Sequence, residues 1–273
     1  MNIFNIILIQ PLTNGLVVFY RILGNNMGLA IIAFSLTLVT LLRPLTKQYM
    51  DSMKKMKEFQ PQLDKLKKKY KNDKQKMMKA QSDFYKQNGI NPGAGCLPMI
   101  LQLVLLFALL QVFSRALTGT SPDKLNELLY APLKFGNELI NTKFLYLDIT
   151  KPDTFNLSFI PFAVPGLILF LAAIAQMISA KIASPYLETQ EKIAKKTPQA
   201  SDDFQTAMQS SAVYTFPLMT LLIGGRFPSG IALYWLFFSI YQAVQQYRST
   251  GWGGLTPWLR KLNLLQLASW KKK

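Results

Sequence analysis

The sequence predicts an all-α integral membrane protein with five transmembrane helices, an N-terminal interfacial helix and a cytoplasmic helical hairpin. Three observations carry this. Half of the 273 residues are hydrophobic and only 16% are charged, against about 25% in an ordinary soluble domain. The apolar residues gather into runs close to the roughly 20 residues that a helix needs to cross a bilayer. Lysine and arginine outnumber aspartate and glutamate by 31 to 14, and they cluster between the runs.

Residues 1–27 are apolar but interrupted by Gln10, Pro11, Thr13 and Asn14. An interfacial amphipathic helix over Pro11 to Leu23 is therefore expected there rather than a sixth crossing. The segment has no basic leader and no small-residue cleavage site, so no cleaved signal peptide is expected. Residues 28–47, 96–115 and 158–182 read as the first three spans. The shorter runs 212–225 and 229–247 flank GGRFPSG, where glycine and proline end one helix and start the next. They supply the fourth and fifth.

Orientation follows from the cations between the spans. Lys47 to Lys86, Lys181 to Ser211 and the tail from Arg248 hold 23 of them, whereas Arg21, Arg115 to Asp153 and Arg226 hold 7. The side with 23 is expected to be cytoplasmic. The N-terminus then lies outside, 116–157 is an extracytoplasmic loop, 183–211 is a cytoplasmic loop and 248–273 is a basic cytoplasmic tail, in a bacterial cell membrane.

The segment 48–95 carries Met56, Phe59, Leu63, Leu66 and Tyr70 at alternating steps of three and four, a narrow apolar seam on a helix. Asn72 and Asp73 mark a turn, after which Met77, Ala80 and Phe84 form a second seam that can pack on the first. Its lysines, among them Lys54, Lys55, Lys57, Lys65, Lys67, Lys68 and Lys69, have two readings. They are a solvated face and a topology signal, or they form a docking surface for anionic lipid head groups, ribosomal RNA or a targeting partner. Specific nucleic-acid recognition is not expected, because no aromatic or glycine-rich reading surface accompanies them.

Arg43, directly before Pro44 near the cytosolic end of the first span, also has two readings. A long side chain near a helix end snorkels to the interface, or it adds positive charge to a watery pocket inside the protein. Polar residues recur on the other spans: Thr37 and Thr40, Gln102 and Gln111, Gln176 and Ser179, Ser239 and Gln242. Singly each is interhelical glue worth about 0.6 kcal/mol; together they point to a hydrophilic interior. No span contains an acidic residue, so such an interior suits a transient polar or acidic visitor.

Chemistry is constrained as strongly. With no histidine, a histidine base, a histidine-ligated metal and a Ser-His-Asp triad are excluded. A single cysteine, Cys96, excludes an intramolecular disulfide and a cysteine metal cluster. No cofactor is expected, and an enzyme is the least favoured class. A solute or ion transporter or channel is the main alternative, but it predicts an internal repeat that the unequal spans lack. A purely structural assembly or chaperone partner is a third class.

The order GLAII, PLTKQ, a lysine-rich hairpin ending in QNGINPGAGCLPMILQ, and FPSGIALYW with QQY resembles the YidC membrane-protein insertase family over nearly the whole chain. The resemblance implies a helical bundle around a hydrophilic groove, open to the cytosol and to lipid and closed outside, in the form that lacks a large periplasmic domain. It also implies that the groove accepts the polar segment of a nascent membrane protein while the apolar segment slides into lipid. The ribosome, targeting machinery and the Sec translocon are candidate partners. Carried over, the groove glutamine falls on Gln176 and the aromatic pair of the last span on Tyr234 and Trp235. Thr40, Gln102 and Ser239 complete the candidate groove set. The family's groove arginine aligns with Val39, whereas this chain has Arg43, four residues on. That is about one helical turn, roughly 6 Å nearer the cytosol on nearly the same face, which makes Arg43 the candidate substitute. Cys96 reads as packing. Gly89, Pro92, Gly93 and Gly95 read as a structural hinge, and Gly224, Gly225, Pro228 and Gly230 as the outer turn.

Overall fold

The computed structural model describes residues 3–70, 73–90, 97–113, 123–136, 138–156, 163–183 and 204–261. They form two compact units, Met1–Val39 with Leu106–Lys273 and Thr40–Leu105.

The larger unit opens with a π-helical turn, Asn5–Ile9, that runs into α1, Gln10–Ile22. The helix thus begins six residues before the expected Pro11. Proline has no N–H to place in the ladder, and the upstream bond is the wide one, from the Gln10 N–H to the Asn5 carbonyl, so the helix passes through the proline without a break. Among the described residues, Asn5–Ile22 is the one helix both long and apolar enough to cross a membrane by length and composition. It buries Leu12, Leu16, Val17 and Tyr20 and exposes Ile7, Val18 and Ile22.

Polar side chains tie α1 to the segment 123–141. The Asn14 amide donates to the Leu128 carbonyl at 2.9 Å and accepts from the Tyr130 N–H at 2.8 Å. The Tyr20 hydroxyl accepts from the Asn141 N–H. Arg21 donates to the carbonyls of Leu133 and Lys134 and lies over the Phe135 ring. Within the segment are the short helix α2, Asp123–Asn126, and a 3₁₀ turn, Ala131–Leu133.

The apolar helices that follow α1 are α3, Met27–Leu41; α4, Leu97–Gln111; α5, Leu167–Ala183; α6, Phe204–Gly224; and α7, Ser229–Thr250. The unit boundary falls within α3 and within α4. In the larger unit α5 is central, packing along both α6 and α7. Its start differs from the expected span at 158. Val164–Pro165 instead pairs as strand β4 with β3, Thr154–Phe155, and the helix begins at Leu167, after Pro165 and Gly166. A second antiparallel pair joins β1, Lys143–Phe144, to β2, Leu147–Asp148. These strands are a minor addition to a predominantly helical chain.

The stretch 146–153 supplies acceptors to two helix starts. At α5, Asp153 accepts from the Leu169 N–H at 2.8 Å, and the Tyr146 hydroxyl accepts from the Ile168 N–H while donating to Asp153. At α7, the N–H groups of Ser229 and Gly230 donate to the Lys151 and Ile149 carbonyls, and the Ser229 hydroxyl donates to the Asp148 carbonyl. Asp153 is 2% exposed. Gly166 is held beside it, and a Cβ there would collide with the carboxyl group. Partial burial raises the Asp148 carboxyl, but the Thr150 hydroxyl and N–H that donate to it outweigh this and leave it below the usual range.

The smaller unit holds the hairpin. The expected first span ends early: α3 stops at Leu41, Leu42 intervenes, and Arg43 and Pro44 open a new helix, α8, Arg43–Lys69. Pro44 cannot donate to Thr40, whereas proline in a first helical turn costs nothing. The helix α9, Lys74–Gln87, is capped by Asp73, whose side chain accepts from the Lys76 N–H. That bond holds the Asp73 carboxyl below its usual range. The two seams meet as expected: Leu63 and Met77 are buried, and Phe59 and Phe84 pack edge to face at 5.8 Å. Asn72 and the hinge residues Pro92, Gly93 and Gly95 lie outside the described residues.

Replacing Asp153 by alanine leaves the buried Leu169 N–H without its acceptor, at a cost of about 1–3 kcal/mol, and also removes the acceptor of the part-buried Tyr146 hydroxyl. The expected loss is about 2 kcal/mol in detergent unfolding, against about 1 kcal/mol for Tyr146→Phe. Gly166→Ala should destabilise clearly while Gly136→Ala, where the added atom meets open space, should not. Equal melts for these four variants and the wild type would contradict the anchoring role.

Candidate functional site

The candidate residues divide between the units. Gln176, on α5, accepts a 2.7 Å hydrogen bond at Oε1 from the hydroxyl of Thr220, on α6. Thr220 is buried and Gln176 half-buried, so the bond joins two apolar helices through one polar pair. With Oε1 occupied, the Gln176 amide NH₂ remains as a donor. One turn further, Ser179 is buried on α5; Ser239 and Gln246 are buried on α7 at helical spacing. No buried side-chain N or O among the described residues lacks a partner. The helices therefore hold a set of satisfied polar groups in an apolar setting.

The aromatic pair is almost fully enclosed. Tyr234 is 1% exposed and packs on Phe238, and Trp235 meets Phe227 edge to face at 6.3 Å and lies against Gly224. Both sit in the first two turns of α7, next to the turn that joins it to α6.

In the smaller unit, Thr40 and Arg43 are exposed on either side of the break at Leu42, and Gln102 on α4 is half-buried. Arg43 thus stands in the first turn of the hairpin helix and not at the end of the first span. The face shared with Val39 on one continuous helix is interrupted there by the Pro44 break. Its guanidinium adds to the positive end of the α8 dipole. On the hairpin, Lys54, Lys55, Lys65 and Lys69 are exposed, and Lys55 reaches the Gly89 carbonyl at 3.4 Å. The side chains of Lys57, Lys67 and Lys68 lie outside the described ones, as does Cys96.

Two partners were not read from the sequence. Thr220 was visible as a hydroxyl in an apolar run, in the same way as Thr37 and Thr40. Asp153 looked like any loop aspartate, since nothing local reveals that it caps a helix fourteen residues further on.

Apolar helices joined by a polar pair and held at one end by a stitched loop suit a helical membrane protein. The family model described as 60Kd inner membrane protein matches residues 18–251, and the chain belongs to that family. A protein of Fusobacterium nucleatum named membrane protein insertase YidC is 32% identical over 222 residues, covering 81% of this chain and 85% of that protein. Proteins of the same name from Pelobacter propionicus and Geobacter sulfurreducens are 32% and 30% identical over 88% of this chain. The chain spans 38% and 36% of their lengths. These relatives are named for insertion, not for a chemical reaction or for solute transport.

The Gln176 and Thr220 pair should show in a double-mutant cycle. Gln176→Leu and Thr220→Val, singly and together, are expected to give a coupling of about 1 kcal/mol in unfolding from detergent, in the range of interhelical bonds in membranes. Strict additivity would contradict the bond.

Proposed function

We propose that this chain inserts nascent membrane proteins into the cell membrane, accepting their polar segments at cationic and amide groups and releasing their apolar segments into lipid. Membership of a family whose relatives are named insertases supports this reading, and the polar pair Gln176 and Thr220 carries it at the level of residues. A half-buried amide with its oxygen already satisfied offers N–H donors to a passing backbone or carboxylate. Arg43, at the positive end of α8, offers charge to an acidic segment. Under this reading α3, α4, α5, α6 and α7 are five crossings; Gln176 and Ser239, with Tyr234 and Trp235, are the groups that the larger unit offers to a client, and Thr40, Arg43 and Gln102 are those of the smaller unit. The segment Asn5–Ile22 lies along the outer interface with Ile7, Val18 and Ile22 toward acyl chains. The N-terminus is outside, and the C-terminus and hairpin are cytoplasmic.

The energetics need no chemical fuel at this protein. A client segment of about twenty apolar residues gains roughly −6 to −12 kcal/mol on insertion, which exceeds the cost of one or two charges in transit. The barrier is the polar segment, and a wet groove shortens its apolar path while the donors replace part of its hydration. An acidic segment moving outward gains about 2.3 kcal/mol per charge per 100 mV of inside-negative potential. Contacts with Arg43 are therefore transient, since tight binding would add to the barrier for release. The exposed lysines of the hairpin suit docking of the ribosome, targeting machinery or anionic lipid, and the Sec translocon is a further candidate partner.

The test is insertion by liposomes that contain only this protein. For a single-span client with an acidic tail, Arg43→Ala is expected to lower the yield about fivefold, the size of one cation acting near an anion. Arg43→Lys should restore most of it, and a client with a neutral tail should lose less. Undiminished insertion of the acidic client by the alanine variant would overturn the role given to Arg43.

A further inference from the structure

The tail expected at 248–273 is not a plain extension of α7. Gly251, at φ +68°, ends α7 with its N–H on the Tyr247 carbonyl, and a 3₁₀ turn, Gly253–Leu255, leads into α10, Thr256–Lys261. Gly253 and Gly254 are buried, and the turn packs on α5. This brings Trp258 of α10 to the last turn of α5, where the Lys181 ammonium lies 5.2 Å from its ring and 5.7 Å from the ring of Tyr214 on α6.

Lys181 is half-buried, and among the described residues its ammonium meets no oxygen acceptor. No acidic residue occurs anywhere in α5, α6, α7, the closing turn or α10. Arg248 and Lys261 are exposed on the same elements. The two rings beside Lys181 are themselves half open, Tyr214 at 52% and Trp258 at 44%. From Tyr214 an exposed apolar stripe continues along α6 through Leu218 and Leu222, one residue per turn for about 12 Å.

We propose that Lys181, flanked by Tyr214 and Trp258, is a head-group site for an anionic phospholipid whose acyl chain lies along Tyr214, Leu218 and Leu222. The ammonium donates to the phosphate, the rings cover the glycerol region as interfacial aromatic residues do, and the stripe continues in the direction of the tail. A free phosphate or an RNA backbone satisfies the ammonium but leaves the stripe without a role, which is why a lipid is favoured. The proposal rests on the reading of α5, α6 and α7 as membrane crossings, and not on insertion itself.

The experiment is native mass spectrometry of the full chain in mild detergent, titrated with dioleoyl phosphatidylglycerol or dioleoyl phosphatidylcholine, with insertion assayed in parallel. The wild type should retain one phosphatidylglycerol in preference to phosphatidylcholine. Lys181→Gln should weaken that retention about fivefold, the effect of one lysine at an anionic surface, and Leu218→Asn should weaken it too. Lys151→Gln, in the loop, should leave it unchanged. Equal retention by Lys181→Gln overturns the proposal, whether or not that variant melts earlier, because the lysine is then only a clasp for α10. Glycerol phosphate competing as well as the lipid, or Lys181-dependent binding of a short uridine oligomer in place of lipid, also overturns it. Lost lipid with intact insertion sustains this site independently of the insertion reading, and retained lipid with failed insertion does the reverse.

Discussion

A helix start leaves backbone N–H groups without partners, and when that start is enclosed by protein each of those groups must find an acceptor. The larger unit meets this demand at two helices with one short stretch of chain. Residues 146–153 present the Asp153 carboxyl and the Tyr146 hydroxyl to α5 and the carbonyls of Asp148, Ile149 and Lys151 to α7. The central helix and a neighbour are thereby fixed at the same end by the same loop. Gly166 allows the approach, because any side chain there would occupy the place of the Asp153 carboxyl. The packing of α5 against α6 and α7 is set from this anchored end.

Away from that end, the order of these helices depends on weaker terms. Between apolar helices in lipid there is little hydrophobic drive to associate. Single polar pairs such as Gln176 with Thr220 then count for more than their modest energy suggests, since they choose a rotation of one helix against another. Under the proposed insertion reading, the same modest strength, about 1 kcal/mol or less, lets the pair order the helices while the amide NH₂ stays open to a passing client.

Much of this was legible in the sequence. The hairpin followed from spacing alone, because the seam through Phe59 and Leu63 and that through Met77 and Phe84 are local periodicities that a neighbouring helix completes. The polar recurrence in the spans drew attention to Gln176, which bonds Thr220, and to Ser179 and Ser239, which are buried. What escaped was set by distant partners. Hydropathy carries the third span back to 158, but Val164 and Pro165 are taken by a strand pair. Asp153 reads as a solvated loop residue until its helix is placed against it. The stretch after Thr250 reads as part of a basic tail, and only the docking of Trp258 beside Lys181 reveals a folded turn.

The break at Leu42 also follows from a local rule that hydropathy overlooks. Pro44 removes the donor that α3 needs to continue, so α3 ends at Leu41 and Arg43 becomes the opening residue of α8. A cation in a first helical turn opposes the helix dipole, by about 0.3–1 kcal/mol at an exposed position. An anion arriving beside Arg43 meets both the guanidinium and the positive end of the helix, so the arrangement that is slightly unfavourable in the resting protein becomes favourable in the presence of an acidic segment. Under the proposed insertion reading, a glutamine at the same place would accept a polar client without that gain, and a lysine would keep the charge but lack the planar fork that pairs both carboxylate oxygens. On that reading arginine ties selectivity for acidic clients to the proline break, and the break, more than the apolar run before it, decides where the charge is presented.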